Sequence, residues 1–100
     1  MKDLQAIVLN DVMKERVRQD AKWGVQDHEP ARYLMILGEE FGEACQAGCD
    51  VTWPPKNDPY APGLYERLRM DAFRKELIHT AAVAVAMIEA IDRKRIGGAP

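Results

Sequence analysis

Apolar residues recur at intervals of three and four along most of the chain, while short alternating runs of β-branched residues bounded by turn residues are missing. Helices are therefore expected in three segments, the architecture is all-α, and no internal repeat divides it. The first segment, about Asp3 to Ala21, places Leu4, Ile7, Val8, Val12 and Val17 near one face and leaves Lys14, Glu15, Arg16 and Arg18 mostly to solvent. Lys22 to Glu29 contains Gly24 among mixed polar groups and reads as an ordered loop. Pro30 then opens a second helix, because its missing N–H costs nothing in a first turn. Tyr33, Leu34, Ile36, Leu37, Phe41, Ala44 and Cys45 carry its apolar period, and its end is expected near Gly48.

From Asp50 to Gly63 four prolines make one long irregular connection, in which Trp53 and Tyr60 are expected to act as a lid or a simple cover. The last segment, about Leu64 to Arg95, reads as one long helix or as two with a break near Met70 and Asp71. It closes on Gly97 and Gly98, with Arg93, Lys94 and Arg95 complementing its C-terminal dipole. Its run from Leu77 to Ile91 contains His79 and Glu89 and falls short of the roughly 20 residues that a membrane span needs, so a buried helix is expected. Thr80 to Ile88 is apolar on every side, more than two other short helices can cover. The chain is accordingly expected to pair with itself, as a homodimer or a dimer of dimers.

Composition narrows the class. One hundred residues make a single domain spanning 1–100, and 47% hydrophobic with 30% charged residues is the balance of a soluble globular protein. Fourteen Lys and Arg against sixteen Asp and Glu give a net charge of −2, so there is no basic field to hold duplex nucleic acid. Met1-Lys2-Asp3-Leu4 leads straight into a charged segment without an apolar core or cleavage site, which points to a cytoplasmic protein. Cys45 and Cys49 lie four apart in a helix, where a disulfide is awkward, and no second Cys/His pair completes a zinc site. They are expected to be reduced and buried as small apolar residues.

The chemistry concentrates in two short motifs. Glu39-Glu40-Phe41-Gly42-Glu43 stands in an otherwise apolar tract, where carboxylates need compensation and a metal ion is the natural compensator. Glu40 and Glu43 are three apart and project from one face of their helix, one turn above the other. Glu76 and His79 repeat that spacing in the last helix, so antiparallel packing of helices two and three lets both pairs converge on one pocket. The competing reading, a merely solvated row of glutamates, is weakened by the apolar flanks Leu34 to Leu37 and Phe41 to Cys45.

At these residues the chain resembles the MazG-like all-α nucleoside triphosphate pyrophosphohydrolases, whose hallmark is Glu-Glu-x-x-Glu followed by Glu-x-x-Asp. Glu39-Glu40-x-x-Glu43 matches the first half, and Glu76-Leu77-Ile78-His79 matches the second with histidine in place of aspartate. Glu15 to Gly24 followed by Gln26-Asp27-His28, and Glu76 to Ala86, are also similar to segments of that family, so the likeness runs from about Glu15 to Glu89. It implies a helical bundle completed by self-association, and cleavage of a nucleoside triphosphate to the monophosphate and pyrophosphate with Mg2+ as cofactor. By that similarity Glu40, Glu43 and Glu76 hold the metal, with His79 as a fourth ligand, and Glu39 ligates it or positions the attacking water. Trp23 and His28 belong to the nucleotide pocket, and Lys56 and Arg69 are candidate phosphate contacts. The histidine leaves three outcomes open: a site that prefers Mn2+, a phosphate contact in place of a ligand, or lost catalysis. Two other classes compete: a di-metal carboxylate protein using Glu76-x-x-His79, and a non-catalytic helical interaction protein.

Overall fold

The computed structural model describes residues 3–54, 56 and 63–97. Among these the chain is all-α, with α1 Leu4–Trp23, α2 Pro30–Thr52 and α3 Leu64–Gly97. The first helix stops where Gly24 takes a positive φ of 76° and its N–H reaches back to the Asp20 carbonyl at 2.8 Å. Pro30 opens α2 at its first turn as expected. That helix runs past Gly48 into the segment read as irregular, and the Thr52 hydroxyl donates to the Gly48 carbonyl at 3.0 Å. The long segment from Leu64 is one unbroken helix of 34 residues, about 51 Å at 1.5 Å per residue. Tyr60 and Gly98 lie outside the described residues, and Trp53 is exposed.

The central element is α3, and both other helices pack their backbones closely against it. Antiparallel pairing of α2 with α3 follows from their two ends. Gly48 lies so close to Phe73 that an added Cβ would stand 3.2 Å from the ring, and Arg93 at the far end reaches Asp27 just before α2. α1 runs parallel to α3, with Arg74 on Asp11 at 2.6 Å and Arg16 on Glu89 at 2.7 Å. Arg93 therefore ties down the α1–α2 loop, donating to Asp27 and to the Gln26 carbonyl, in addition to any dipole role. Tyr33 secures the same carbonyl from α2 at 2.6 Å.

The buried core is small: Val12, Tyr33, Ala44, Ala82 and Val83. Short side chains at Ala44 and Ala82 let the helices approach closely. Several expectations are corrected here. α1 does not bury one apolar stripe: Val12 is inside, Leu4, Ile7, Val8 and Val17 are exposed, and Glu15 is buried with Arg16 half-buried. Helical phase explains Val17, which falls on the side opposite to Val12, Glu15 and Gln19, whereas Leu4 and Val8 share the phase of Val12 and are exposed about two turns and one turn before it. Leu77 to Ile91 is not buried all round, because α1 and α2 cover only part of α3 and leave Leu77, Ile88 and Ile91 exposed. Cys45 and Cys49 are free and exposed, not buried. No described helix is long and apolar enough to cross a membrane.

Ala82 is fully buried at 0% exposure, so the packing has no room for a larger side chain there. Ala82→Leu is expected to destabilise the chain by about 1–3 kcal/mol through overpacking, read as a lower urea midpoint by far-ultraviolet circular dichroism. An unchanged midpoint would show that the three helices do not close on this residue.

Candidate metal centre

Three of the expected side chains meet where α2 crosses the middle of α3. Glu40 from α2 and Glu76 and His79 from α3 each bring one potential ligand atom to within 4.8 Å of the others. His79 Nδ1 stands 3.6 Å from Glu76 Oε2 and 4.0 Å from Glu40 Oε2, distances too long for hydrogen bonds. Antiparallel packing produces this convergence: Glu76 and His79 lie one turn apart on α3, and Glu40 faces them from the inward side of α2, which also carries Tyr33 and Ala44.

The electrostatics are those of an incomplete site. Glu40 Oε2 and Glu76 Oε2 are buried and have no hydrogen-bond partner among the described residues. An unpaired carboxylate oxygen out of contact with water is costly. Burial raises the Glu40 carboxyl above the ordinary glutamate value of 4.5, and the negative charges of Glu43, Glu76 and Glu15 push the same way, while His79 opposes them. Two carboxylates and one imidazole are a donor set that a divalent cation satisfies directly, since it replaces the missing hydrogen-bond donors and neutralises the mutual repulsion. The residues present therefore fit such an ion.

A fourth group, missing from the candidate residues of the sequence, stands behind the histidine. Glu15 of α1 is 9% exposed and places Oε2 3.7 Å from His79 Nε2. Arg18 grips both its oxygens at 2.7 Å, and Gln19 donates at 3.1 Å. The hydrogen bonds from Arg18 hold its carboxyl below the usual value in spite of burial. The imidazole thus lies between two sets of acids, Glu15 on its Nε2 side and Glu40 with Glu76 on its Nδ1 side. Spacing offered one signal, since Glu15 and Arg18 are an i, i+3 pair, but only packing tells which such pair turns inward.

The remaining expected residues divide. Glu39 and Glu43 are exposed and stand outside the group of three, although the charge of Glu43 is felt at Glu40. Trp23 and His28 line one cavity of about 280 Å3 between α1, the loop and α2, and Glu40 lines that cavity too. It therefore joins an exposed indole to one member of the group, Glu40. His28 Nε2 is 3.1 Å from the Gln26 amide oxygen, and its ring packs edge-on against Tyr33. Arg32, not singled out by the sequence reading, lines the same space. Lys56 is exposed in the connection after α2, and the Arg69 guanidinium lies 5.7 Å from the centre of the Tyr65 ring.

No family model matches the chain, and no curated protein or solved structure is similar to it at a significant level. The likeness to MazG-like proteins accordingly rests on the motif residues themselves.

The raised Glu40 carboxyl has a definite sign in stability. With the native value above the unfolded one, protonation is favoured in the folded chain, so the group weakens folding as pH rises from 4.5 through the native value. In a chelator at neutral pH, Glu40→Gln is expected to raise the melting temperature, and the gain should fade below pH 4.5. Adding a divalent cation should reverse the order by stabilising the unaltered protein alone. A variant that melts lower in chelator would show that Glu40 carries no such burden.

Proposed function

We propose that this chain is a divalent-cation-dependent nucleoside triphosphate pyrophosphohydrolase that works as a homo-oligomer. The observation that carries the reading is the pair of orphaned carboxylate oxygens of Glu40 and Glu76 beside His79, with Glu40 also lining a cavity that Trp23 lines. In the reaction, water adds across the anhydride between the α- and β-phosphates and gives a monophosphate and pyrophosphate. A divalent ion held by Glu40, Glu76 and His79 would supply charge for the phosphate oxygens and a water of lowered pKa.

The chain's own residues do the rest. Trp23 offers an aromatic face to a base, and His28 and Gln26 offer hydrogen-bonding groups beside it. Arg32 lines the same space as a cation for phosphate. Glu43, exposed on the same helix, holds negative charge that acts on Glu40, and it and the exposed Glu39 are the candidates for positioning water. Glu15 places its negative charge 3.7 Å from Nε2, too far for a hydrogen bond but on the side that favours a hydrogen on that nitrogen, which leaves the Nδ1 lone pair facing Glu40 and Glu76. This supports His79 as a working ligand in place of the family's aspartate, with the lost negative charge supplied one step back from α1. A nitrogen donor among the oxygens favours Mn2+ over Mg2+.

Purified protein with Mn2+ or Mg2+ is expected to release pyrophosphate, not orthophosphate, from at least one nucleoside triphosphate, and Glu40→Gln should abolish the release. Orthophosphate as the first product, or full activity in that variant, would refute the reading. Glu15→Gln is expected to weaken cation binding by about 10-fold through loss of the negative charge behind His79, measured by calorimetry. Unchanged affinity would separate Glu15 from the site. The combination Glu40 with Glu76-x-x-His79 also suits a redox-active di-metal carboxylate centre, and bound iron with oxidase activity in place of nucleotide cleavage would favour that second reading.

A further inference from the structure

We propose that Asp20 reads the base of the nucleotide and that the base it selects is guanine. The inference rests on the nucleotide reading above for what enters the cavity, and it names which nucleotide. Asp20 and Trp23 are an i, i+3 pair at the end of α1, and both line the cavity that Glu40 lines from α2. α1 runs parallel to α3 with Glu15 beside His79, so Asp20 and Trp23 stand five and eight residues beyond the level of the acidic group. At 1.5 Å per residue these are about 7.5 Å and about 12 Å, a gap that a sugar spans between a base and its α-phosphate.

Asp20 is set in place before a ligand arrives. The Arg16 guanidinium, on a side chain only 11% exposed, donates to Asp20 Oδ1 at 2.9 Å. Arg16 is itself fixed by Glu89 of α3 at 2.7 Å and by the Gln19 amide oxygen at 3.3 Å. Asp20 Oδ2 has no partner among the described residues. A carboxylate held from behind accepts hydrogen bonds and gives none, and its orientation costs nothing further on binding. Gln26 supplies the opposite character. Its amide oxygen lies 3.1 Å from His28 Nε2, which leaves the amide hydrogens for an acceptor, and it lines the same cavity.

Base chemistry chooses among the candidates. Guanine carries two adjacent donors, the ring N1–H and the 2-amino group, next to the O6 acceptor. It can meet Asp20 with both donors while O6 takes a hydrogen from Gln26. Adenine and cytosine set their amino group beside a ring-nitrogen lone pair, which would face the carboxylate with like charge. Uracil and thymine flank a single ring N–H with two carbonyl oxygens, and hypoxanthine has the ring N–H alone. A site built for two donors rejects bases that lack one, because its own polar atom is left unpaired. The competing role for Asp20, an ion pair with Arg16 at the end of a helix, uses one carboxylate oxygen and leaves the other, beside Trp23, without a task.

Calorimetry on the full chain in chelator, with nucleoside monophosphates as probes, separates base reading from catalysis. GMP should bind about 10-fold tighter than IMP, which lacks only the 2-amino group, and 1-methyl-GMP should bind no better than IMP. Asp20→Asn should erase most of the difference between GMP and IMP. Equal affinity for the two, no binding of either, or an undiminished preference in a folded Asp20→Asn protein overturns the proposal. Should that variant lose its helices, 1-methyl-GMP on the unaltered protein decides: binding as tight as GMP refutes the assignment, and binding as weak as IMP supports it. Guanine preference without pyrophosphate release from any triphosphate would leave Asp20 standing and reject the catalytic reading. Pyrophosphate release with equal kcat/KM from GTP and ITP would do the reverse.

Discussion

Two carboxylate oxygens from antiparallel helices are held beside one imidazole, inside the protein, with none of the described residues donating to them. Burial of like charges is unfavourable, and the chain tolerates it because the rest of the α2–α3 contact is tight. Ala44 and Ala82 are buried, and Gly48 admits the Phe73 ring almost to its backbone. The same close approach that stabilises the helix pair brings Glu40 to Glu76 and His79. Packing and site are in this sense one interaction seen from two sides, with the small residues supplying proximity and the acids supplying the demand for a cation.

Glu15 extends that demand to α1. A carboxylate that is 9% exposed and fully engaged by Arg18 and Gln19 is a rigid group, and its position on the Nε2 side of His79 leaves the other nitrogen for the acidic pair. Glu15 and Glu40 respond to pH in opposite senses. The first is held low by its hydrogen bonds and contributes stability above the ordinary glutamate range, which is lost as pH falls through its lowered value. The second is pushed up by burial and weakens the fold above that range. One acid is therefore structurally satisfied and the other is poised, which is the division of labour expected when one supports and the other binds.

The fold is also open in a directional way. α1 and the α1–α2 loop close one side of the α2–α3 pair and build there the cavity that joins Trp23, His28 and Glu40. The opposite side keeps its apolar residues uncovered, Phe41 at 59% and Ile88 at 57% exposure. The cavity and the uncovered apolar residues thus occupy different faces of the same two helices.

The sequence alone determined the helices, because apolar periodicity, Pro30 and Gly24 are local signals that act within a turn or two of chain. It also marked Glu40, Glu76 and His79, since i, i+3 spacing fixes which side chains share a helix face. What it left open was which face of each helix turns inward. α1 offered Leu4, Ile7, Val8, Val12 and Val17 as an apolar stripe, yet of these only Val12 is buried, with Glu15 beside it. The spacing of Glu39, Glu40 and Glu43 likewise could not say that Glu40 alone turns into the group. These choices are made by contacts between residues far apart in the chain, Arg74 with Asp11, Arg16 with Glu89, Gly48 with Phe73. Rotation of a helix about its axis costs nothing locally, so only the tertiary structure could settle it.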